Sequence, residues 1–159
     1  MKNKVILLMG SERDLELCKE IITHLNALKL NHEMRVGSAH KTPENVLKIL
    51  KEHEKANVIY VTVAGRSNAL SAFVDANTLK PVIACPPYSE KYGGADIYSS
   101  LRVPSGVAPL VTVEPEAAAL AAAKIFALQD KTLEKRVIEL QEAKKRDVEK
   151  ADEKIRKLK

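Results

Sequence analysis

The sequence predicts a single-domain α/β fold: a three-layer parallel sheet of the flavodoxin or Rossmann kind, followed by a long C-terminal helix. Three observations predict it. Strand-like and helix-like segments alternate along the chain, the pattern left by a parallel sheet with helices on both faces. The first strand candidate is a continuous apolar run rather than an alternating one, as a strand buried on both faces requires. And 159 residues with 45% hydrophobic content suffice for one domain with a real core, which the absence of Trp and the 4% aromatic content make aliphatic.

The elements follow in order. Met1, Lys2, Asn3 and Lys4 before Val5, Ile6, Leu7, Leu8, Met9 and Gly10 superficially look like a signal sequence. The run is short, lacks a small-residue cleavage site and leads directly into a strand–helix unit, so residues 4–9 are read as the first strand. Ser11 and Asp14 have the spacing of a capping box, with a phosphate or ribose contact as the functional alternative. Leu15, Cys18, Ile21, Ile22, Leu25 and Leu28 then recur at helical spacing. A second strand near residues 32–36 runs into Gly37, Ser38, Ala39, His40, Lys41, Thr42 and Pro43. Thr42 is placed to cap the next helix and Pro43 suits its first turn, where a missing N–H costs nothing. Val46, Ile49, Leu50 and His53 carry that helix to about residue 56.

Residues 58–63 are β-branched and strand-like. They end in Ala64, Gly65, Arg66, Ser67, Asn68, Ala69 and Leu70, and a short apolar helix continues to residue 77. Residues 81–85 form a short strand stopped by Pro86 and Pro87, before a loop rich in Tyr, Ser and Gly over 88–95. A short helix over 96–101, a polar turn over 102–106 and a last strand over 110–113 follow. Pro115 opens an Ala-rich helix through residue 128, whose small side chains permit close packing. Residues 131–159 read as one long helix. Leu133, Val137, Leu140, Val148, Ala151, Ile155 and Leu158 fall near a heptad register that Lys144 interrupts. So narrow a stripe on so charged a helix predicts packing on a neighbouring subunit rather than in the core. With no repeat and no linker, residues 1–159 are expected to be one domain, 130–159 being its C-terminal helix.

Charge and composition exclude several classes. The formal net charge is +5, but it is spread out. From Asp130 onward 11 basic residues face 8 acidic ones with no aromatics interleaved, a solvated helix face rather than a nucleic-acid surface. No apolar run approaches the roughly 20 residues that span a bilayer. Cys18 and Cys85 have neither metal nor disulfide spacing and read as buried thiols in a reducing compartment, so the cytoplasm is expected.

In parallel sheets ligands bind outside the carboxyl ends of the strands, near a switch in strand order. Three successive strands end in polar loops, at residues 11–14, 38–41 and 65–68. Each precedes a helix N-terminus, whose free N–H groups favour anions. Together they predict a site for a phosphorylated small molecule, with the Ser, His and Lys of the second loop suited to anion binding and proton transfer.

At this point four motifs become recognisable. Met9-Gly10-Ser11 with Asp14, Ser38-Ala39-His40-Lys41-Thr42, Ala64-Gly65-Arg66-Ser67-Asn68, and Ser99-Ser100-Leu101-Arg102-Val103-Pro104-Ser105-Gly106 resemble the PurE family of purine biosynthesis, over nearly the whole chain. That family has a mutase class (class I), which moves a carboxylate from the exocyclic nitrogen of an aminoimidazole ribonucleotide to a ring carbon. Its carboxylase class (class II) adds carbon dioxide to that carbon directly. The mutase class usually shows Ser-Ala-His-Arg-Thr-Pro and a Gly-Gly-x-x-His-Leu-Pro-Gly run. Here Lys41 stands in place of the Arg, and Ala69 stands at the second His position. Both departures resemble class II.

The resemblance implies His40 as proton shuttle, while His24, His32 and His53 read as structural. It implies Ser11, Asp14, Ser38 and Lys41 as the residues holding ribose and phosphate, with Lys41 also stabilising the new carboxylate. Gly65 and Ser67 would offer donors near that carboxylate, and Asn68, Ala69 and Leu70 complete the substrate-binding run. Arg66 contacts ligand or pairs across a subunit interface; residues 99–106 close over the ligand or form an interface turn. No metal and no cofactor are implied. The implied assembly is a homo-oligomer, an octamer around a four-fold axis, with a tetramer as the alternative. Two other functions stand beside class II: the class I mutase, and a non-enzymatic nucleotide-sensing module on the same sheet. A response regulator is disfavoured, since the first strand ends in Ser11 rather than in clustered acids.

Overall fold

A computed structural model describes residues 2–158. Strands β1 (Lys4–Met9), β2 (Asn31–Val36), β3 (Val58–Val63), β4 (Val82–Ala84) and β5 (Leu110–Val111) form one sheet. Its order is β2-β1-β3-β4-β5 and every pairing is parallel. The helices are α1 (Leu15–Ala27), α2 (Pro43–Glu52), α3 (Ala69–Ala76), α4 (Tyr98–Leu101), α5 (Pro115–Ala127) and α6 (Lys131–Arg156). The expected three-layer fold with its long C-terminal helix is the observed one.

Alternation of side chains along the central strands feeds two cores. Val5, Leu7 and Met9 of β1 and Ile59, Val61 and Val63 of β3 point to one face, where α1, α5 and the start of α6 cover them. Ile6, Leu8 and Tyr60 point to the other, under α2 and α3. That two-sided burial is why β1 reads as an unbroken apolar run and why β3 is buried along its whole length, Thr62 included. Ala118, Ala119, Ala122 and Ala123 are fully buried in the first core with Cys18, Ile21 and Leu25 of α1. Burial pushes the thiol of Cys18 up to about 12 and that of Cys85 up to about 11, so both stay protonated at neutral pH.

Several boundaries differ from expectation. α2 stops at Glu52 instead of near residue 56, because the His53 and Glu54 N–H groups donate to Leu50 and Lys51 carbonyls and tighten the last turn. Residues 91–97, expected as loop and helix start, wind into 3₁₀ turns interrupted by left-handed Tyr92, Gly93 and Gly94. β5 ends at Val111, with one more ladder bond from the Thr112 N–H to the Ala84 carbonyl. Thr42 occupies the N-cap position of α2 but makes no capping bond; its hydroxyl instead accepts from the Ser38 N–H at 3.0 Å.

The first two turns of α6 do enter the core of their own chain, contrary to the reading of the whole helix as packing on a neighbour. The short turn after α5 folds α6 back onto it, and Leu133 and Val137 are buried there. The interrupting Lys144 pairs with Glu116 of α5 at 2.9 Å. Beyond it Val148, Ile155 and Leu158 are exposed. The expected end of this helix, Lys159, lies outside the described residues. Among the described residues no helix is long and apolar enough to cross a membrane.

At the β2 edge, Glu33 is 3.1 Å from Lys4 Nζ and 3.3 Å from Arg35, and Arg35 also meets Glu52 at 2.6 Å. His53 Nε2 lies 3.4 Å from Glu33 but off the line of a hydrogen bond. Burial pushes the Glu33 carboxyl up, yet Lys4, His53 and Arg35 together hold it below its ordinary value of 4.5. A carboxylate depressed in the folded state contributes stability above its unfolded pKa and loses it as pH falls through the folded one. Glu33→Gln is therefore expected to lower the melting temperature at pH 7. That deficit should shrink on acidification below about pH 4.5 and vanish once the wild-type carboxyl is protonated. A deficit independent of pH between 7 and 3 would show that packing, not charge, holds this cluster.

Candidate active site

Strand register brings the three polar loops to one level. Met9 pairs with Val36 on one side and with Val63 on the other, so the chain leaves β1, β2 and β3 at the same height on adjacent strands. The connection from β1 runs to β2 on one side and the chain then crosses to β3 on the other. The switch point therefore lies between β1 and β3, where crevices open in sheets of this kind. The Gly10 N–H donates to the Val63 carbonyl at 2.8 Å, and the Gly37 N–H to Met9 at 2.9 Å, extending the ladder into the loops. A Cβ on Gly37 would come within 2.9 Å of Val46, so only glycine lets α2 seat so close to the end of β2.

In the first loop, one Asp14 oxygen accepts from the Ser11 N–H at 3.0 Å and from the Ser11 hydroxyl at 3.3 Å. This is the expected capping geometry, and it leaves the second carboxylate oxygen for other donors. Burial raises the Asp14 pKa, with Ser11 and Gly10 bonds opposing.

The second loop is a tight polar turn. Ser38 Oγ accepts from the Lys41 N–H at 3.2 Å, and the Thr42 N–H donates to the Ser38 carbonyl at 2.9 Å. Ala39 packs on the second core. The His40 and Lys41 side chains are exposed at the start of α2. His24, on α1, and His32 and His53, at the β2 edge, lie away from this turn.

In the third loop Arg66 and Ser67 are exposed, and Arg66 takes φ +58°. Gly65 allows Pro87 to close over it, since a Cβ there would lie 3.0 Å from the Pro87 ring. Asn68 and Leu70 turn inward, each 2% exposed. The Asn68 amide donates to Ser100 Oγ at 2.9 Å and its oxygen caps α3 by accepting from the Ser71 N–H. Leu70 packs in the second core beneath α3. Of the six residues from Gly65 to Leu70 implied by the resemblance, only Gly65, Arg66, Ser67 and half-buried Ala69 are open to a ligand. The side chains of Asn68 and Leu70 are committed to the scaffold.

Sequence reasoning missed the side chains that brace this loop. Ser99, at the start of the segment read as closing over the ligand or forming an interface turn, donates to the Arg66 carbonyl at 2.7 Å and accepts from the Asn68 N–H at 2.9 Å. No local signal could have found these contacts, which join residues more than thirty positions apart. Beside Gly65 a cavity of about 510 Å³ opens between α1 and the loop after β4, walled by Leu17, Pro86, Tyr88, Asp96, Ile97 and Val113. A larger hollow of about 810 Å³ lies at the opposite, N-terminal edge of the sheet, far from these loops. Its Lys29 follows the C-terminus of α1, where a cation is favoured by the helix dipole, and its Asn3 and Asp130 bond each other. Among the described residues no group of three His, Cys, Asp or Glu is disposed to hold a metal ion.

The chain is similar to proteins of one family in sequence and in fold. Residues 4–147 match the AIR carboxylase family. A phosphoribosylaminoimidazole carboxylase of Archaeoglobus fulgidus is 59% identical over 153 residues, covering 96% of this chain and 85% of the relative. A protein of the same description from Treponema denticola is 45% identical over 158 residues, 98% of this chain and 99% of the relative. The crystal structure of Treponema denticola PurE superposes with a TM-score of 0.94 at 45% identity, covering 96% of this chain and 98% of that one.

Proposed function

The chain belongs to the AIR carboxylase family, and from that membership we propose that it adds carbon dioxide directly to 5-aminoimidazole ribonucleotide without ATP. The product is 4-carboxy-5-aminoimidazole ribonucleotide. At the coarser level it is an enzyme of purine biosynthesis, a carboxy-lyase acting on a small ribonucleotide. The observation that carries the finer reading is Lys41. It stands beside His40 at the mouth of α2, where the mutase pattern has Arg, and Ala69 stands at the second His position. The relatives described as carboxylases support the same choice.

The substrate's aminoimidazole is electron-rich, and its C4 behaves as an enamine carbon. C4 attacks the carbon of carbon dioxide, a C–C bond forms, and one C=O pair moves onto oxygen to give a carboxylate. C4 is then tetrahedral and still carries its hydrogen, while positive charge resides on the ring and amino nitrogen. The His40 imidazole takes the C4 proton, the C–H electron pair restores the aromatic ring, and the proton passes to solvent. Lys41 stabilises the carboxylate as its charge develops. Ser11, Ser38 and the second oxygen of Asp14 hold ribose and phosphate, aided by the free N–H groups at the start of α2. Arg66 and Ser67 complete the anion-binding wall, with the Gly65 backbone beside the incoming carboxylate. No metal or cofactor enters this scheme.

The whole chain acts as one domain in a homo-oligomer, an octamer on this reading. Support comes from the apolar residues that α6 leaves exposed past Lys144, which a neighbouring subunit would cover. The compartment on this reading is the cytoplasm.

Purified protein is expected to carboxylate the ribonucleotide with dissolved carbon dioxide in the absence of ATP and to ignore the N-carboxylated isomer. Ready consumption of that isomer would establish the mutase instead. Binding of either ribonucleotide without turnover would leave a sensing module.

A further inference from the structure

Arg66 sits at φ +58°, a backbone region that side chains disfavour and that glycine occupies freely. Such strain persists only where surrounding bonds over-determine it. Here they come from α4. Ser99 Oγ lies 2.7 Å from the Arg66 carbonyl, 2.7 Å from the Asp96 carbonyl and 2.9 Å from the Asn68 N–H. A hydroxyl carries one proton and two lone pairs. It accepts from Asn68, so its single proton is shared between a local carbonyl three residues back and the Arg66 carbonyl across the site. The Asn68 amide adds a second brace by donating to the buried Ser100 hydroxyl at 2.9 Å. The loop is thus pinned at residues 66 and 68, and the Arg66 and Ser67 side chains project from between the pins into solvent.

We propose that Ser99 is a positioning residue for catalysis: its hydroxyl clasps the Arg66 carbonyl and holds the loop in the one conformation that presents Arg66 and Ser67 to the anionic groups of the ribonucleotide. This rests on the function proposed above. A turn with only a scaffolding role would relieve the strain by placing glycine at 66. Keeping a strained, exposed arginine there makes sense when its guanidinium is used on a ligand. The clasp also gives the segment after residue 98 a definite part in the site, through the backbone of its neighbour rather than by contact with ligand.

The test combines Ser99→Ala, Ser99→Thr and Arg66→Gly, read by hydrogen exchange of the residue 66–68 amides and by steady-state kinetics on 5-aminoimidazole ribonucleotide. Loss of the clasp in Ser99→Ala should speed exchange of the Asn68 amide about tenfold. KM should rise about tenfold with kcat within about twofold, the size of one net hydrogen bond. Ser99→Thr keeps the hydroxyl and should stay close to wild type on both measures. In the Arg66→Gly background, Ser99→Ala should raise KM no further, because the residue it positions is gone. An unchanged KM in Ser99→Ala overturns the proposal, and so does an equal rise in the Arg66→Gly background, which would place the effect elsewhere. If the wild type turned over no ribonucleotide, the functional reading would fail on its own. The exchange data would still decide the clasp: faster exchange supports it, and unchanged exchange overturns it.

Discussion

His40→Asn is expected to lower kcat by about 10²–10⁴-fold while the KM for the ribonucleotide stays within about twofold. The carboxamide keeps much of the shape and the hydrogen-bonding capacity of the ring, so the turn from Ser38 to Thr42 has no reason to rearrange. That turn is built from main-chain atoms and from the Ser38 and Thr42 hydroxyls, none of which belongs to His40. What asparagine lacks is a nitrogen that can take up a proton near neutral pH. The tetrahedral adduct would then return its carbon dioxide faster than it loses its proton. Steady-state rates together with direct measurement of ribonucleotide binding check this. Turnover near the wild-type rate would remove the proton shuttle from His40, and a large loss of binding would recast it as a substrate anchor.

Ile21→Ala carries the largest expected effect on stability. Ile21 is fully buried on α1, in the same core as four alanines of α5. Truncating a buried Ile costs roughly 2–5 kcal/mol, depending on how far the surroundings can collapse into the space. Here they can collapse little, because alanine methyls are too short to reach into the gap and β1 and β3 are fixed by pairing on both sides. The upper half of that range is expected, a large share of the roughly 5–15 kcal/mol that holds a typical domain together. The measurement is a denaturant midpoint at fixed protein concentration with an unchanged slope. A loss below about 1 kcal/mol would mean that α1 and α5 can slide together and that the alanine contact is softer than its burial implies.

The central fold was legible because its signals are local. β1 announces itself as an unbroken apolar run, β3 by its β-branched residues, α2 by Pro43 and its periodic apolar residues, and α5 by Pro115 and its alanines. The position of the three polar loops followed from the strands being parallel, which puts every strand's carboxyl end on one edge. What escaped were features that depend on partners distant in sequence. The inward turn of Asn68 cannot be seen without Ser100 and Ser71 in place. The early turns of α6 looked peripheral because only Leu133 and Val137 enter the core, too few to stand out in a charged helix. Thr42 has the residue type of a cap, yet its hydroxyl is taken by the Ser38 N–H, a bond set by the return of the loop rather than by the helix. The residues over 91–97 gave a loop signal from their glycines, and those glycines serve as left-handed joints between 3₁₀ turns.

The division of the interior into two cores bears on how the chain is made. Every residue of the core under α2 and α3 has been synthesised once Val82 is in place. The three site loops all lie within the first 68 residues. The other core draws on both ends of the molecule, from Val5 to Val137, and stays open until α5 and the start of α6 emerge. A growing chain can therefore assemble one face of the sheet, its 66–68 loop still without Ser99 and Ser100, while the apolar face of α1 lacks its cover from α5. For some fifty further residues, a few seconds at about 5–20 residues per second, that face is exposed to whatever else the ribosome's surroundings offer. The alanine helix that makes the finished protein tight is thus also the step at which an unfinished one is most exposed to misassociation.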